Sequence, residues 1–450
     1  MAIIYTSAEE IKGNIIQIKS EESFFGEKVI IEQDGIIKNG QVIAIDNDLV
    51  YIQVFEGTFG FSLNNIRVRL TKEPFLLNLS PDIVGRVFDG LGRPIDGLGE
   101  IYGGVRKNIN TPAINPIFRD YPKGFVQTGI SSIDLLITLV RGQKLPIFSV
   151  EGIFHDKLAI QIVSQSKIYE NNEFYESTSV LENDKYPIDE DNYIVFAGIG
   201  LKFDTYNFFK NSFMEIGNTN IVTFLNLALS PVSERLLIPR VALTAAEYLA
   251  FDLGKNVIVI MTDMTSYCEA MRELSATRGE IPGRKGYPSY MYSDLSSIYE
   301  RAGIIKGKRG SLTLIPILTM PAGDITHPIA DLTGFITEGQ IVLSNNFKYP
   351  HISILPSLSR LMKDAIGSGK TTKEHPVIAK KIFEAYSKVG YARDLAQIIG
   401  EDELSNEDKL YIKFGMEFEN VLLKQDYTEN RSIYSTISIA KELLRIIEDE

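Results

Sequence analysis

The chain has 450 residues, of which 44% are hydrophobic and 23% are charged, a composition that indicates a soluble globular protein and excludes a disordered or fibrous one. Because a single core stops growing at roughly 250 to 300 residues, this length predicts two or three domains. The formal net charge of −12 and the lack of a long Lys/Arg block argue against nucleic-acid binding, since attraction to phosphate supplies most non-specific affinity.

Cysteine and histidine usage predicts neither disulfides nor a metal site. The single cysteine, Cys268, excludes an internal disulfide and fits a reducing compartment. The four histidines, at 155, 327, 351 and 375, show no metal-ligand spacing with Cys268 or with one another.

The sequence has no apolar run of membrane-spanning length, and its start lacks the pattern of a signal peptide. We therefore expect a cytosolic protein.

The N-terminal part has the pattern of a small β domain. Between Lys28 and about Arg69, short β-branched runs are interrupted by the turn-forming segments QDG, KNG, DND and EGTFG. Short strands separated by turns of this kind predict an antiparallel β-barrel, to which we assign residues 1–72.

The pattern then changes to an α/β core, which we assign to residues 73–360. Buried apolar runs alternate there with longer helical stretches such as RVALTAAEYLAFDLG, an arrangement that predicts a mostly parallel sheet covered by helices. The apolar runs are KLPIFSV, NYIVFAGIG, NIVTFLNLAL, NVIVIMTD and SLTLIPIL. The acidic, Asn-rich stretch between Glu170 and Asp191 predicts a solvated insertion.

Residues 361–450 have the pattern of a C-terminal helical bundle. Pro376 is suited to the first turn of a helix, and Ser405 with the acidic residues after it predicts the start of another. The apolar residues of the first helix recur at helical spacing: Val377, Ala379, Ile382, Phe383, Tyr386 and Val389.

The segment IGSGKTT, residues 366–372, ends with the letters of a phosphate-binding loop. In that motif the first glycine precedes the last by five residues, but Asp364 occupies its position, and a carboxylate repels phosphate. The preceding SRLMKDAI predicts a helical turn rather than a strand, and Pro376 disfavours helix at His375. We therefore predict a turn through Gly367 and Gly369.

A strand, a glycine and an amphipathic helix follow one another in KLPIFSVEGIFHDKLAIQIVSQS, which is the context that a phosphate-binding loop requires. The loop motif needs two glycines, a lysine and a Ser or Thr. Here these positions hold Ser149, Phe154, His155 and Asp156, with only Gly152 left between them. The loop therefore lacks the lysine and the magnesium-binding hydroxyl.

Taken over nearly its whole length, the sequence resembles the non-catalytic B (beta) subunits of the V-type and A-type rotary ATPases. The stretches that carry the resemblance are PDIVGRVFDGLGRPIDG, FVQTGISSIDLL with RGQKLPIFS, SERLLIPRVALTAAEYLAF, TDMTSYCEAMRELSATRGEIPGRKGYPSYMYSDLSSIYERAG, ILTMPAGDITHPIADLTGFITEGQI and LPSLSRLMKDAIG. The resemblance implies the same three domains: a β-barrel, a P-loop-type α/β core and a helical bundle.

The resemblance also implies partners and a location. Such subunits alternate with three catalytic A subunits in a hexameric head, with a central rotor stalk and a peripheral stator stalk, and hydrolysis or synthesis of ATP is coupled to H⁺ or Na⁺ transport. The head lies at the cytoplasmic face of a membrane and meets the membrane only through the ion-translocating sector. The resemblance implies no cofactor held tightly by this chain, with Mg·ATP or ADP at the interface with the A subunit.

Several site residues follow from the resemblance. Arg360 in LPSLSRLM matches the family's arginine finger, which enters the neighbouring A subunit's catalytic site. Leu201 stands where catalytic relatives carry the glutamate that orients water, and leucine cannot polarise water. Asp263 resembles the carboxylate that holds magnesium in active relatives, and we interpret it as a remnant. Without the resemblance, Arg360 would be assigned to an ion pair with Asp364 at helical spacing.

Neighbours of the arginine are assigned supporting roles. Pro356, Ser357 and Ser359 are expected to fix where Arg360 points, and the two serines, with Gly152, are the candidate nucleotide contacts of this chain. Lys370 in IGSGKTT lies near the same interface and is a hypothetical contact to a neighbouring chain.

Two other functions are alternatives, and the first of them shares this architecture. A self-sufficient hexameric ATPase of flagellar or secretion type would need its own intact loop and glutamate. A nucleic-acid motor of the transcription-terminator type is suggested only by the basic run TRGEIPGRKG, and the acidic net charge opposes it.

Overall fold

The computed structural model describes residues 3–168, 192–217 and 220–448. The chain groups into two compact units, the first formed by Met1–Ile114, Tyr193–Leu253 and Val259–Arg301, and the second by Asn115–Asn192, Gly254–Ile258 and Ala302–Glu450. The domain boundaries after residues 72 and 360 stay predictions. The insertion predicted between Glu170 and Asp191 lies outside the described residues.

The strands of the described residues lie between Ile3 and Ser359. They are β1 (Ile3–Ser7), β2 (Glu10–Lys12), β3 (Ile15–Lys19), β4 (Glu27–Gln33), β5 (Ile36–Asp46), β6 (Leu49–Val54), β7 (Asn64–Pro74), β8 (Leu76–Leu79), β9 (Val87–Phe88), β10 (Val105–Asn108), β11 (Arg119–Asp120), β12 (Phe125–Gln127), β13 (Leu139–Val140), β14 (Ile147–Val150), β15 (Lys167–Ile168), β16 (Asn192–Leu201), β17 (Ile221–Leu227), β18 (Asn256–Thr262), β19 (Gly303–Ile305), β20 (Ser311–Met320), β21 (Gly339–Leu343) and β22 (Ile352–Ser359).

Helices begin in the central part of the chain and dominate its C-terminal part. They are α1 (Ser131–Leu136), α2 (His155–Gln165), α3 (Phe203–Ile216), α4 (Val232–Glu247), α5 (Met264–Arg278), α6 (Met291–Tyr299), α7 (Pro328–Ile336), α8 (His375–Ile399), α9 (Asn406–Glu417) and α10 (Ile433–Glu448). Two π-helical turns, Tyr248–Asp252 and Phe418–Leu423, extend α4 and α9. Among the described helices, none combines the length and the apolar character needed to cross a bilayer.

The N-terminal strands of the first unit form one seven-stranded antiparallel sheet, in the order β1-β7-β4-β5-β6-β3-β2. Side chains alternate between buried and partly exposed along β4, as expected when one face of a strand covers a core. Members of that core come from β3 to β7: Ile16, Ile18, Val29, Ile31, Val42, Val50, Ile52, Val54, Ile66, Val68 and Leu70. The predicted antiparallel β domain is confirmed, and three of its strands precede Lys28, where the sequence pattern began.

The first unit also contains parallel strands. β16 pairs with β17 and β17 with β9, all in parallel, while β8 and β10 pair antiparallel. From Ile221 to Asn226 every residue of β17 is buried, which is typical of parallel strands covered on both faces.

The second unit contains the strands that position the site. β14 pairs in parallel with β20 on one side and β21 on the other, and β22 pairs antiparallel with β21. The predicted α/β core is confirmed in both units.

The C-terminal part of the second unit is the predicted helical bundle, in which α8, α9 and α10 pack on one another. The Ser405 side chain accepts a hydrogen bond from the backbone N–H of Asp408 and caps α9 as expected. Pro376 does lie in the first turn of α8, but the helix begins at His375, where we had expected Pro376 to disfavour it. Val377 and Phe383 are 58% and 42% exposed, so the predicted apolar face is only partly buried.

Candidate functional site

The segment IGSGKTT forms a turn. The backbone N–H of Thr371 donates to the Gly367 carbonyl at 2.9 Å, and the Thr371 hydroxyl accepts from the Gly367 N–H at 3.0 Å. Gly367 and Gly369 adopt left-handed φ values of 104° and 75°, which glycine adopts without strain. The predicted turn is confirmed, and the hydroxyl that a phosphate-binding loop would offer to magnesium is committed to the backbone of this chain.

The same hydroxyl joins the turn to the first residue of α8. His375 is fully buried, with Nδ1 3.0 Å from the Thr371 hydroxyl and Nε2 2.9 Å from the Leu135 carbonyl. Because a carbonyl only accepts, Nε2 donates to Leu135, and in the neutral imidazole this leaves Nδ1 to accept from the Thr371 hydroxyl. Burial lowers the pKa of His375 and favours that neutral form.

The loop between β14 and α2 has the predicted context of strand, turn and helix, with altered contacts. Gly152 keeps a left-handed φ of 89°. The His155 imidazole lies with Nδ1 3.2 Å from the Ser149 hydroxyl, so the residues at the lysine and first-glycine positions contact each other. The Asp156 side chain is buried in the first turn of α2, and its negative charge would repel a phosphate at this helix start.

Leu201 and Asp263 lie in the first unit and have structural surroundings there. Leu201 is 6% exposed at the end of β16 and is packed over Gly198, where a methyl group would come within 2.5 Å of it. Asp263 caps α5 by accepting from the backbone N–H of Thr265 at 2.8 Å. The cap role agrees with the interpretation of Asp263 as a remnant, which stays a prediction.

Arg360 lies at the opposite end of the strands from the altered loop. β22 runs antiparallel to β21, with Ser359 opposite Gly339, whereas the loop follows the carboxyl end of β14, which runs parallel to β21. The five residues of β21 lie between the sheet edge beside Arg360 and the sheet edge beside the loop, a separation of about 13 Å at the usual rise along a strand. Arg360 and the loop of its own chain are therefore not brought together.

The Arg360 side chain is exposed and lies against the backbone that precedes β21. Its Nη1 donates to the Thr337 carbonyl at 3.1 Å, and its backbone N–H donates to the Glu338 carbonyl at 2.9 Å. Within the described ranges Arg360 forms no ion pair. Asp364 instead accepts from the Tyr121 hydroxyl at 3.2 Å, so the alternative assignment of an Arg360–Asp364 pair is wrong for this structure.

The serines before Arg360 are hydrogen-bonded within the sheet. Ser357 is buried, and its hydroxyl accepts from the Val342 N–H at 2.9 Å, at a register shift between β21 and β22. The Ser359 hydroxyl donates to the Thr138 carbonyl at 2.9 Å. These contacts fix the end of β22, whereas a nucleotide contact of either serine stays a prediction.

Sequence reasoning missed three residues beside the arginine: Gln143, Lys144 and Glu338. The Lys144 side chain is 4% exposed, and its Nζ lies 2.6 Å from Glu338 Oε1. Gln143 Nε2 donates to the Glu338 carbonyl and to the Ser359 hydroxyl at 3.2 and 3.0 Å. The signal in the sequence was a pair of polar residues, Gln143 and Lys144, at the start of the mainly apolar run that forms β14, since buried polar side chains need partners.

Two family models match the chain. The ATP synthase alpha/beta family, nucleotide-binding domain, matches residues 129–359, and the C-terminal domain of V and A type ATP synthase matches residues 364–450. These ranges hold the altered loop, the serines of β22 and the helical bundle.

Individual proteins are similar over nearly their whole length. A V-type ATP synthase beta chain of Thermotoga neapolitana is 51% identical over 99% of this chain and 94% of its own. One of Halothermothrix orenii is 50% identical over 98% and 93%. A solved structure, a unique ATP synthase subunit NeqB from Nanoarcheaum equitans, is 38% identical with a TM-score of 0.73, covering 97% of this chain and 99% of that one.

Proposed function

The chain belongs to the V-type ATP synthase beta-chain family, as the resemblance indicated, and we propose that within such a complex it is a non-catalytic subunit of the head that completes a neighbour's catalytic site. The observation that carries this proposal is the position of Arg360. The arginine is exposed and without an ion pair among the described residues, at the strand edge opposite the altered loop of its own chain.

The altered loop supports the non-catalytic role. Phosphate binding at a helix start needs open backbone N–H groups and a cation. Residues 151–156 supply no lysine or arginine, the His155 imidazole contacts Ser149, and Asp156 adds a negative charge. Leu201 is buried where a catalytic glutamate would be needed. The chain therefore lacks both the groups that hold a triphosphate and the group that activates water.

The neighbour in this proposal is the catalytic A subunit, with Mg·ATP or ADP at the shared interface, in a ring that alternates the two chains around a rotor stalk and is held by a stator stalk. Negative charge develops on the oxygens of the transferring phosphoryl group, and a planar guanidinium directed at them stabilises the transition state more than the ground state. Arginine fingers raise rates about 10³- to 10⁵-fold. The complex would couple this chemistry to H⁺ or Na⁺ transport at the cytoplasmic face of a membrane.

A self-sufficient hexameric ATPase is the alternative. No observation favours it, since its loop and glutamate would have to be supplied by Ser149, His155, Asp156 and Leu201. The transcription-terminator type of motor has only the basic run around Arg284 in its support.

The test is ATP turnover by this chain alone, by the catalytic partner alone and by the two reassembled. We expect no turnover above the blank for this chain and full turnover only for the reassembled head. Sustained turnover by the purified chain, abolished by substitution in the loop at 149–156, would contradict the proposal and support the alternative.

A further inference from the structure

Three strand ends meet where Arg360 lies. Gln143 and Lys144 precede β14, Thr337 and Glu338 precede β21, and Arg360 follows β22. We propose that Glu338, held by Lys144, is a positioning residue that fixes the direction of the Arg360 side chain. The inference rests on the proposed function, in which Arg360 acts on a nucleotide of the neighbouring subunit.

Glu338 and Lys144 are joined at three points. The Glu338 N–H donates to the Lys144 carbonyl at 3.0 Å, and Glu338 Oε2 accepts from the Lys144 N–H at 2.7 Å. Glu338 Oε1 pairs with Lys144 Nζ at 2.6 Å, where the lysine side chain is 4% and the glutamate 26% exposed. A charge pair this little exposed is screened weakly by solvent, so backbone and side chain together fix the position of residue 338.

The backbone carbonyl of Glu338 also contacts Arg360. The Glu338 carbonyl accepts from the Arg360 N–H at 2.9 Å and from Gln143 Nε2 at 3.2 Å. The preceding carbonyl, that of Thr337, accepts from Arg360 Nη1 at 3.1 Å. Among the described residues the guanidinium is thus held by one backbone oxygen, that of Thr337. The place of this oxygen depends on Glu338, the next residue in the chain.

The backbone around Lys144 is hydrogen-bonded to the sheet. The Leu314 N–H donates to the Gln143 carbonyl, and the Leu145 N–H donates to the Leu314 carbonyl, both at 2.9 Å. Residues 143–145 are therefore tied to β20, a strand in which almost every residue is buried. The buried strand therefore holds Lys144 in place, Lys144 holds Glu338, and Glu338 holds Arg360.

Such positioning matters because an arginine side chain has several rotatable bonds and is exposed at this edge. A misplacement of about 1 Å in a group that acts on the transition state lowers rates by about 100-fold. Glu338 itself would not touch the nucleotide, and its effect would pass entirely through Arg360.

The test uses heads reassembled from this chain and its catalytic partner. Glu338→Gln is expected to lower kcat by about 10- to 100-fold with the KM for Mg·ATP unchanged, because the arginine acts mainly in the transition state. The matched control is Glu448→Gln, which removes the exposed pair of Lys381 and Glu448, also at 2.6 Å, and should leave kcat unchanged. A rise in KM with unchanged kcat would overturn the inference.

A double variant separates positioning from mere stabilisation. Glu338→Gln combined with Arg360→Ala should be no slower than Arg360→Ala alone, whereas independent, multiplying losses would overturn the inference. Because Glu338→Gln removes the carboxylate partner of a buried amine, Glu338→Gln/Lys144→Met provides a second variant without that charge. If both fail to assemble, or if the second turns over like wild type, the inference is overturned. Normal turnover by Arg360→Ala would instead overturn the proposed function itself.

Discussion

His155 and Ser149 are in contact, with the imidazole Nδ1 3.2 Å from the serine hydroxyl. These residues occupy the lysine and first-glycine positions of a phosphate-binding loop whose strand, turn and helix are otherwise kept. The strand, turn and helix of such a loop are present here, and we propose that without the lysine and the second glycine the loop does not hold a triphosphate.

Restoring the loop should create nucleotide affinity. The variant Phe154→Gly/His155→Lys/Asp156→Thr returns an open backbone, a cation and a hydroxyl, and removes a carboxylate from the start of α2. We expect it to bind Mg·ATP at least about tenfold more tightly than wild type, or about 1.4 kcal/mol, by isothermal titration of the isolated chain. His155→Gln is the control, and equal affinity of wild type and the restored variant would contradict our account of the loop.

The Thr371 hydroxyl should stabilise the turn at 366–372. Thr371→Val removes the acceptor of the Gly367 N–H and the partner of His375 while preserving shape. A buried donor left unsatisfied costs about 1 to 3 kcal/mol, and we expect a loss of this size in the free energy of unfolding measured with denaturant. Lys370→Ala, at the residue directly before Thr371, is the control. If Lys370→Ala impaired head assembly without changing stability, the hypothetical contact of Lys370 to a neighbouring chain would be supported.

The buried histidine should make stability depend on pH. Burial lowers the pKa of His375 below its ordinary value of 6.5, so between pH 6.5 and the folded-state pKa the unfolded chain binds a proton that the folded chain does not. Its contribution is therefore complete above about pH 6.5 and is lost as pH falls, by at most about 1.4 kcal/mol per pH unit. Denaturant unfolding at pH 7.5 and 5.5 should show a smaller loss for His375→Gln than for wild type. Equal losses for the two proteins would show that His375 is not neutral in the folded chain.

The main elements of the fold could be predicted from the sequence because they carry strong local patterns. The apolar runs that form β14, β16, β17, β18 and β20, and the cap at Ser405, are cases in which local preference and burial agree. The strands before Lys28 were missed because each is only three to five residues long and carries too short a pattern to indicate a strand. His375 begins a helix despite the restriction that Pro376 imposes. Its buried ring is held by the nearby Thr371 hydroxyl and by the distant Leu135 carbonyl, and a tertiary contact of the second kind can override local preference.

The candidate site was predictable only in part. The altered residues of the loop could be aligned with a motif, and Arg360 could be found through resemblance to a family. The Glu338–Lys144 pair could not, since it joins residues separated by 194 positions and depends on the register of β14 and β21. The assignment of Arg360 to an ion pair with Asp364 failed because that spacing presupposes a continuous helix, whereas Arg360 lies at a strand end and only Met362–Asp364 is helical.

We propose above all that Arg360 of this chain acts in the reaction that the neighbouring subunit catalyses. The most direct test is steady-state ATP hydrolysis by heads reassembled from the catalytic partner and Arg360→Ala, with assembly verified by mass. We expect the intact head to form and its kcat to fall by about 10³-fold or more, with Arg360→Lys recovering little because an ammonium lacks the planar pair of donors. Near-normal hydrolysis by a fully assembled Arg360→Ala head would contradict the account.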